Sequence, residues 1–345
     1  MEQSSSIFNF KLLRTPVIIV SIFIFLEIVF RIYTFGIHTS LNWYKYNPQG
    51  ILISNMAMAV EDPNVSWKLK PNVQGLLKTK TFTTNSLGLR NPEITTTASE
   101  GTIRIACLGR SITMGSGVAD DETYAHVLQE YFDQWKPDTV EVINCGVGGQ
   151  SFKQMLDYYE TYISPLNPDI ILIPMSPRDM ANGEFRVPPP LSVAKTSLTN
   201  LRYYLSFTFS FNIMKTIVKR VTENIMSVDW KERVADIHKP KSDPISSEVL
   251  LADFINKRTA EGVQCYFFSP DRHEKGKAHD TSDIKKFLAL FESADYLSID
   301  NYMADKIPDT KYIYFSDTHP SPEMHAVLAG ALFQELKPRV RLLEK

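Results

Sequence analysis

Four short apolar runs, separated by amphipathic segments, constrain the fold of this chain more than any other feature. The runs are TIRIACLG (102–109), VEVINCG (140–146), DIILIPM (169–175) and VQCYFFSP (263–270). Such runs are typical of parallel strands that are buried on both faces. The segments DETYAHVLQEYFDQW and SFKQMLDYYETYI between the first three runs have the apolar spacing of amphipathic helices. This alternation predicts an α/β fold with a doubly wound parallel sheet and right-handed crossovers.

A long apolar segment, PVIIVSIFIFLEIVFRIYTFG, runs from Pro16 to Gly36. About 20 helical residues cross the bilayer core, so the segment predicts a transmembrane helix. Its only charged residues, Glu27 and Arg31, are four apart and can pair near the membrane surface. No small-residue cleavage site follows, which favours a retained anchor over a removed signal peptide. A buried core helix is the alternative.

The charges that flank this segment bear on its orientation. Lys11 and Arg14 precede it, whereas only Lys45 follows it closely. Positive charge is favoured on the cytoplasmic side. We therefore expect a single-pass protein of the cytoplasmic membrane with its folded domain periplasmic or extracellular, and a domain that faces the cytoplasm is the open alternative.

The chain divides into three parts by composition. Residues 1–36 form an N-terminal tail and anchor, and residues 37–100 are a polar, proline-containing strap. Residues 101–345 form the α/β domain. In the strap, Trp67 and Leu69 are expected to pack on that domain.

Residues 183–258 interrupt the domain, because they are far more than one crossover needs. They predict an inserted helical cap that covers the site or leans on the membrane. A longer packed crossover is the alternative.

Charge and cysteine content exclude some classes of protein. The net charge of the 345 residues is -2, so nothing indicates a nucleic-acid partner. Three cysteines are too few for a disulfide framework. Cys107, Cys145 and Cys265 lie in apolar runs and are expected to be buried thiols. A bond between Cys107 and Cys145, on neighbouring strands, stays open for an oxidising compartment.

Polar and glycine residues follow the predicted strands. Ser111 comes directly after the first strand, NCGVGGQS ends the second, and SPRD (176–179) ends the third. Asp317 and His319 precede the last predicted helix. The carboxyl ends of parallel strands meet at one edge of a sheet, so we expect these residues to lie together.

This set of residues suits serine acyl chemistry. A serine hydroxyl is a poor nucleophile until a base takes its proton, and an imidazole titrates near neutral pH. A carboxylate such as Asp317 fixes the tautomer of His319 and stabilises its cation. The tetrahedral intermediate needs hydrogen-bond donors. The amides of Ser111 and Gly149 are candidates, with the Arg178 side chain as a third.

The strand-end segments resemble the motifs of the SGNH (GDSL-like) hydrolase and acyltransferase superfamily. LGRSIT resembles its nucleophile block, NCGVGGQS its glycine block, SPRD its Gly-x-Asn-Asp block and DTHPSPEMH its acid–histidine block. The resemblance extends from about residue 70 to the C-terminus, without the insert. It implies a flavodoxin-like, three-layer α/β/α fold. It also implies that Ser111 is the nucleophile, His319 the base, Asp317 its partner and Gly149 an oxyanion donor.

Two arginines depart from the family pattern. Arg110 stands in place of the aspartate before the serine, and Arg178 in place of the asparagine that helps to hold the oxyanion. Arg178 can donate hydrogen bonds and could replace that asparagine in the oxyanion hole, or its length could make it miss the geometry. Two cations here would favour an anionic ligand such as an acidic sugar, with Arg110 as a substrate-binding residue. Alternatively, Arg110 pairs structurally with Asp179 or another acid.

The resemblance also suggests a biological setting. LEIVFR, NSLGLRNPE and GVADDETYAHVLQ are similar to the membrane-anchored branch that is linked to acylation of bacterial polysaccharides or cell envelopes. It implies an esterase or O-acyltransferase that acts on an acylated envelope glycan or lipid. A catalytically silent protein that binds polysaccharide or a partner in an envelope assembly is the alternative.

No cofactor is expected, because serine acyl chemistry requires neither a metal nor an organic group. DRHEKGKAHD (271–280) contains two histidines and acidic residues, but it lacks regular ligand spacing and is interpreted as a solvated loop. His325, on the last predicted helix, is interpreted as a packing residue.

Overall fold

The computed structural model describes most of the α/β domain and parts of the segments before it. The residues described are 10–35, 37, 59–77, 80–181, 208, 210, 211, 214, 217, 218, 221, 246–270, 280–308, 312–314 and 317–343. The segment 271–280, interpreted above as a solvated loop, lies outside them except for Asp280. Most of the predicted insert also lies outside them.

Five parallel strands form the central sheet. They are β5 (Ile103–Gly109), β6 (Val140–Gly146), β7 (Ile170–Pro174), β8 (Gln264–Phe268) and β9 (Asp295–Tyr296). Their order is β6-β5-β7-β8-β9, which is the flavodoxin-like arrangement. The predicted α/β fold with a doubly wound parallel sheet is confirmed, and the four predicted strands are β5 to β8.

Helices cover both faces of this sheet. They are α2 (Ser111–Met114), α3 (Tyr124–Trp135), α4 (Phe152–Tyr158), α5 (Pro177–Ala181), α6 (Ser247–Ala260), α7 (Ser282–Leu288), α8 (Asp300–Lys306) and α9 (Pro322–Leu343). A π-helical turn, Tyr159–Ile163, extends α4. The predicted helix SFKQMLDYYETYI is therefore α-helical at its start and π-helical at its end.

Side chains alternate between two core layers along β5, because successive residues of a strand point to opposite faces. Ile105 packs in the layer that holds α3 and α9, and Leu108 packs in the layer that holds α4 and α6. All seven residues of β5 are buried. The three-layer α/β/α arrangement follows from this double burial.

Four short strands organise the strap. β1 (Ala59–Asp62) pairs with β2 (Ser66–Leu69), and β3 (Gln74–Leu77) pairs with β4 (Lys80–Thr83), both antiparallel. Trp67 and Leu69 pack on the domain as expected, and both are buried in its core.

Asn91, also in the strap, continues the hydrogen bonding of the edge strand β6. Its Nδ2 donates to the Val142 carbonyl at 3.0 Å, and its Oδ1 accepts from the Asn144 N–H at 2.6 Å. The strap therefore satisfies part of an otherwise open sheet edge.

The last part of the predicted insert is an ordinary crossover helix. Helix α6 leads into β8, and its Leu251, Phe254 and Ile255 are buried against the sheet. This part therefore packs on the domain.

One helix within the described ranges is long and apolar enough to cross a membrane. Helix α1 spans Phe10–Phe35, and its segment Arg14–Tyr33 has a mean hydropathy of 2.3 with little burial. Glu27 and Arg31 form the predicted ion pair. The Ser210 N–H also donates to Glu27 Oε2 at 2.8 Å, so the inserted segment contacts this helix.

Candidate active site

Ser111 is the first residue of helix α2, with one residue between it and the end of the buried strand β5. Arg110 precedes it with non-helical backbone angles, and Gly115 ends the helix in the left-handed conformation. The serine is half-buried, at the carboxyl edge of the sheet. This is the strand–turn–helix geometry that presents a nucleophile at the end of a strand.

Two glycines allow this helix to lie close to the strand ends. A Cβ on Gly109 would lie 1.9 Å from Thr113 Oγ1, and one on Gly146 would lie 2.2 Å from the Met114 nitrogen. Both distances are far below van der Waals contact. The glycines that end β5 and β6 are therefore required for the position of Ser111.

The acid–histidine segment lies beside the serine helix. β11 (Asp317–Pro320) pairs with β10 (Tyr312–Tyr314), and α-carbon atoms of β11 come within 8 Å of α-carbon atoms in α2. His319 is half-buried there. The topology thus brings together two segments that are about two hundred residues apart. The Asp317 side chain lies outside the described part of the molecule.

A buried network links the serine helix to the start of the last helix. The Tyr124 hydroxyl donates to Thr113 Oγ1 at 3.1 Å, and Thr113 donates to the Leu108 carbonyl at 3.2 Å. The Tyr124 N–H donates to Nδ1 of His325 at 3.1 Å. The two rings stack at 6.1 Å. The network fixes α2 relative to the segment that carries His319.

His325 is fully buried, which agrees with its interpretation as a packing residue. Burial, together with the smaller effects of the neighbouring Arg90 and His319, lowers its pKa to about 3. The imidazole is therefore neutral at neutral pH, with Nδ1 as an acceptor. Its hydrogen bond to the start of α3 was not predicted from the sequence, because the partners are 201 residues apart.

Arg110 forms an ion pair with Asp179, whose side chain is only 2% exposed. The other Asp179 oxygen accepts from the Ser176 N–H at 2.9 Å and from its hydroxyl at 2.8 Å. This is the structural pairing that the sequence left open for Arg110. A role for Arg110 in binding substrate stays a prediction. Arg178 lies in α5, and its side chain is outside the described atoms.

The glycine loop after β6 presents its backbone to solvent. Gly149 is exposed, whereas Gly148 is buried and its carbonyl accepts a hydrogen bond from the indole Nε1 of Trp67 at 3.1 Å. The sequence indicated that Trp67 would pack on the domain but not that it would contact this loop.

No group of three or more potential metal ligands occurs among the residues with described positions.

Comparison with known proteins gives matches only among solved structures. No protein-family model matches the sequence, and no curated protein matches it. The chain is similar to the esterase EstA from Pseudoalteromonas sp., at 11% identity over 69% of this chain and 98% of that chain, with a TM-score of 0.39. It is similar to the acetylxylan esterase Axe2 from Geobacillus stearothermophilus, at 11% identity over 69% and 96%, with a TM-score of 0.41.

A GDSL-like lipase from Bacteroides thetaiotaomicron is another similar structure. It has 12% identity over 68% of this chain and 88% of that chain, with a TM-score of 0.34.

Proposed function

We propose that this chain is a membrane-anchored serine esterase or O-acyltransferase that acts on ester-linked acyl groups of an envelope glycan or lipid. One observation carries the proposal: the helix that begins at Ser111 lies against the strand that contains Asp317 and His319. The exposed backbone of Gly149 follows the neighbouring strand, where an oxyanion donor is needed.

The reaction would proceed through an acyl-enzyme. Ser111 Oγ attacks the ester carbonyl while His319 takes its proton, and Asp317 orients the imidazole and stabilises its cation. The tetrahedral oxyanion accepts hydrogen bonds from the amides of Ser111 and Gly149, with Arg178 as a further donor. The C–O bond of the ester then breaks, and His319 returns the proton to the departing alcohol. Water or a sugar hydroxyl attacks the acyl-enzyme in the same way, which releases Ser111.

Helix α1 supports the location in this proposal. It would anchor the protein in the cytoplasmic membrane, with the domain in the periplasm or outside the cell. Protease treatment of intact spheroplasts tests this: the domain should be digested while the N-terminus stays protected. Digestion of the domain only after lysis would place it in the cytoplasm.

The triad is tested with p-nitrophenyl acetate and a fluorophosphonate probe on the full-length protein. Ser111→Ala should abolish both turnover and labelling, because it removes the attacking oxygen. Ser116→Ala is the matched control, since this nearby buried hydroxyl has no partner in the described structure. Turnover that survives in Ser111→Ala would contradict the assignment.

The ion pair between Arg110 and Asp179 favours a second candidate function. Arg110, directly before Ser111, stands where serine hydrolases of this type carry an aspartate, and its charge is neutralised by Asp179. The alternative is a catalytically silent domain that binds polysaccharide or an assembly partner. Such a domain would not react with the fluorophosphonate although it folds normally.

A further inference from the structure

The peptide between Gly148 and Gly149 is held by a residue of the strap. Trp67, in β2, donates from its indole Nε1 to the Gly148 carbonyl at 3.1 Å. The donor and the acceptor are 81 residues apart in the chain. A segment outside the α/β domain therefore contacts the loop that would supply the oxyanion donor.

This contact sets the direction of the next amide. A trans peptide is planar, so the Gly149 N–H points opposite to the Gly148 carbonyl. Because the carbonyl faces the buried indole, the N–H is directed away from it. Gly149 is exposed, and its N–H donates to no group in the described part of the chain. The amide is therefore available to a ligand at the strand end.

Trp67 is itself held firmly. Its side chain is 3% exposed, and the Gln150 side chain donates to its carbonyl at 3.0 Å. A Cβ on Gly149 would lie 3.3 Å from the indole Cζ2, so ring and loop are in close contact. Two hydrogen bonds in opposite directions thus connect β2 and the glycine loop.

We propose that Trp67 is a positioning residue of the oxyanion hole, acting through the Gly148–Gly149 peptide. This inference rests on the proposed function of Ser111. It makes the strap part of the active site and not only a connection to the membrane anchor. Without the indole N–H, the peptide can rotate, and the Gly149 amide is no longer fixed toward the oxyanion.

The experiment removes the indole N–H and keeps the ring. Trp67 is replaced by benzothienylalanine, an isostere of tryptophan without the N–H, and in parallel by Phe. Turnover of p-nitrophenyl acetate and the thermal midpoint are measured on the same full-length samples. Removal of one oxyanion donor costs 10²–10³ in kcat, so a misdirected donor should lower kcat roughly tenfold or more. KM should stay unchanged, because the ground-state ester does not need this donor.

A matched control and two contrasting outcomes make the test decisive. Trp135, on the opposite face of the sheet, is replaced in the same two ways and should retain kcat. If the Trp67 isostere kept the wild-type kcat while Ser111→Ala lost turnover, the proposed role of Trp67 would be overturned and the proposed function of Ser111 would stand. Absence of Ser111-dependent turnover in the wild type would instead overturn the proposed function.

Discussion

Arg90 donates a hydrogen bond of 2.8 Å to the carbonyl of Met114, the last residue of the helix that begins at Ser111. The same Nη1 donates to the Gly115 carbonyl at 2.6 Å, and Nη2 donates to the Val118 carbonyl at 2.8 Å. The last carbonyls of a helix have no partners within the helix. A buried guanidinium from the strap therefore supplies the donors that close the serine turn.

Replacement of Arg90 should destabilise this turn strongly. Arg90→Lys keeps the charge, but an ammonium group cannot donate to several carbonyls at once as the planar guanidinium does. Some of the buried carbonyl oxygens are then left without a donor. We expect a loss of roughly 3 kcal/mol in the free energy of unfolding, measured by urea denaturation.

Asp120→Asn is the control for Arg90→Lys. It weakens the partly exposed ion pair in which Arg90 Nε lies 2.7 Å from Asp120 Oδ1. The contacts of Arg90 with the backbone carbonyls are kept. Asp120→Asn should therefore cost less. Equal losses in the two variants would show that the ion pair, and not the carbonyl contacts, holds the turn.

Gly146→Ala should displace the serine helix. The new methyl group would overlap the backbone of Met114 and Thr113, which cannot move as a flexible side chain can. We expect loss of ester turnover and a stability loss of about 1–3 kcal/mol or more, measured by esterase assay and urea denaturation. Gly262→Ala is the control, because it has a positive φ of 78° but open space around it. Its turnover should be unchanged.

The sequence predicted the strands that are buried on both faces, because such strands appear as continuous apolar runs. β5 to β8 were predicted for this reason, whereas β9 has only two residues, Asp295 and Tyr296, and leaves no run to detect. The hairpins of the strap were missed because their strands are four residues long and about half polar. The position of the first hairpin depends on distant partners such as Gly148, whose carbonyl accepts a hydrogen bond from Trp67.

The candidate site stays a prediction, although two of its segments lie close together. Ser111 follows β5 of the central sheet, whereas His319 lies in the separate hairpin of β10 and β11, so the parallel sheet alone does not fix the position of His319. The supporting residues were not predicted, because Arg90 and Trp67 act on backbone groups that any residue possesses. Arg90 lies in the segment NSLGLRNPE, which was singled out only because it resembles a family motif. Nothing in that segment indicated that Arg90 contacts the serine turn.

The three cysteines should not react in the native protein. Cys107, Cys145 and Cys265 are free and buried, and burial raises the pKa of Cys107 and of Cys265 to about 12. The thiolate is the reactive form, and it is scarce at such pKa values. Titration with Ellman's reagent should detect no thiol in the folded chain and three after denaturation. Rapid reaction of one thiol without denaturant would contradict the burial of that strand.

His325 should make stability depend on pH. Its pKa is lowered to about 3 in the folded protein from 6.5, chiefly by burial. Below pH 6.5 the unfolded chain binds a proton that the folded chain does not bind. The contribution of His325 is thus fully present above pH 6.5 and is lost as the pH falls toward 3. The slope should approach about 1.4 kcal/mol per pH unit in urea denaturation at pH 7, 6, 5 and 4.5.

His325→Asn separates this effect from other acid-labile groups. The Asn Oδ1 can still accept the hydrogen bond that Tyr124 donates to Nδ1 at 3.1 Å, but it does not titrate. Its stability should therefore fall less steeply between pH 6.5 and 4.5 than that of the wild type. If His325→Asn retained the full slope, the proton uptake would have to come from a residue other than the buried imidazole.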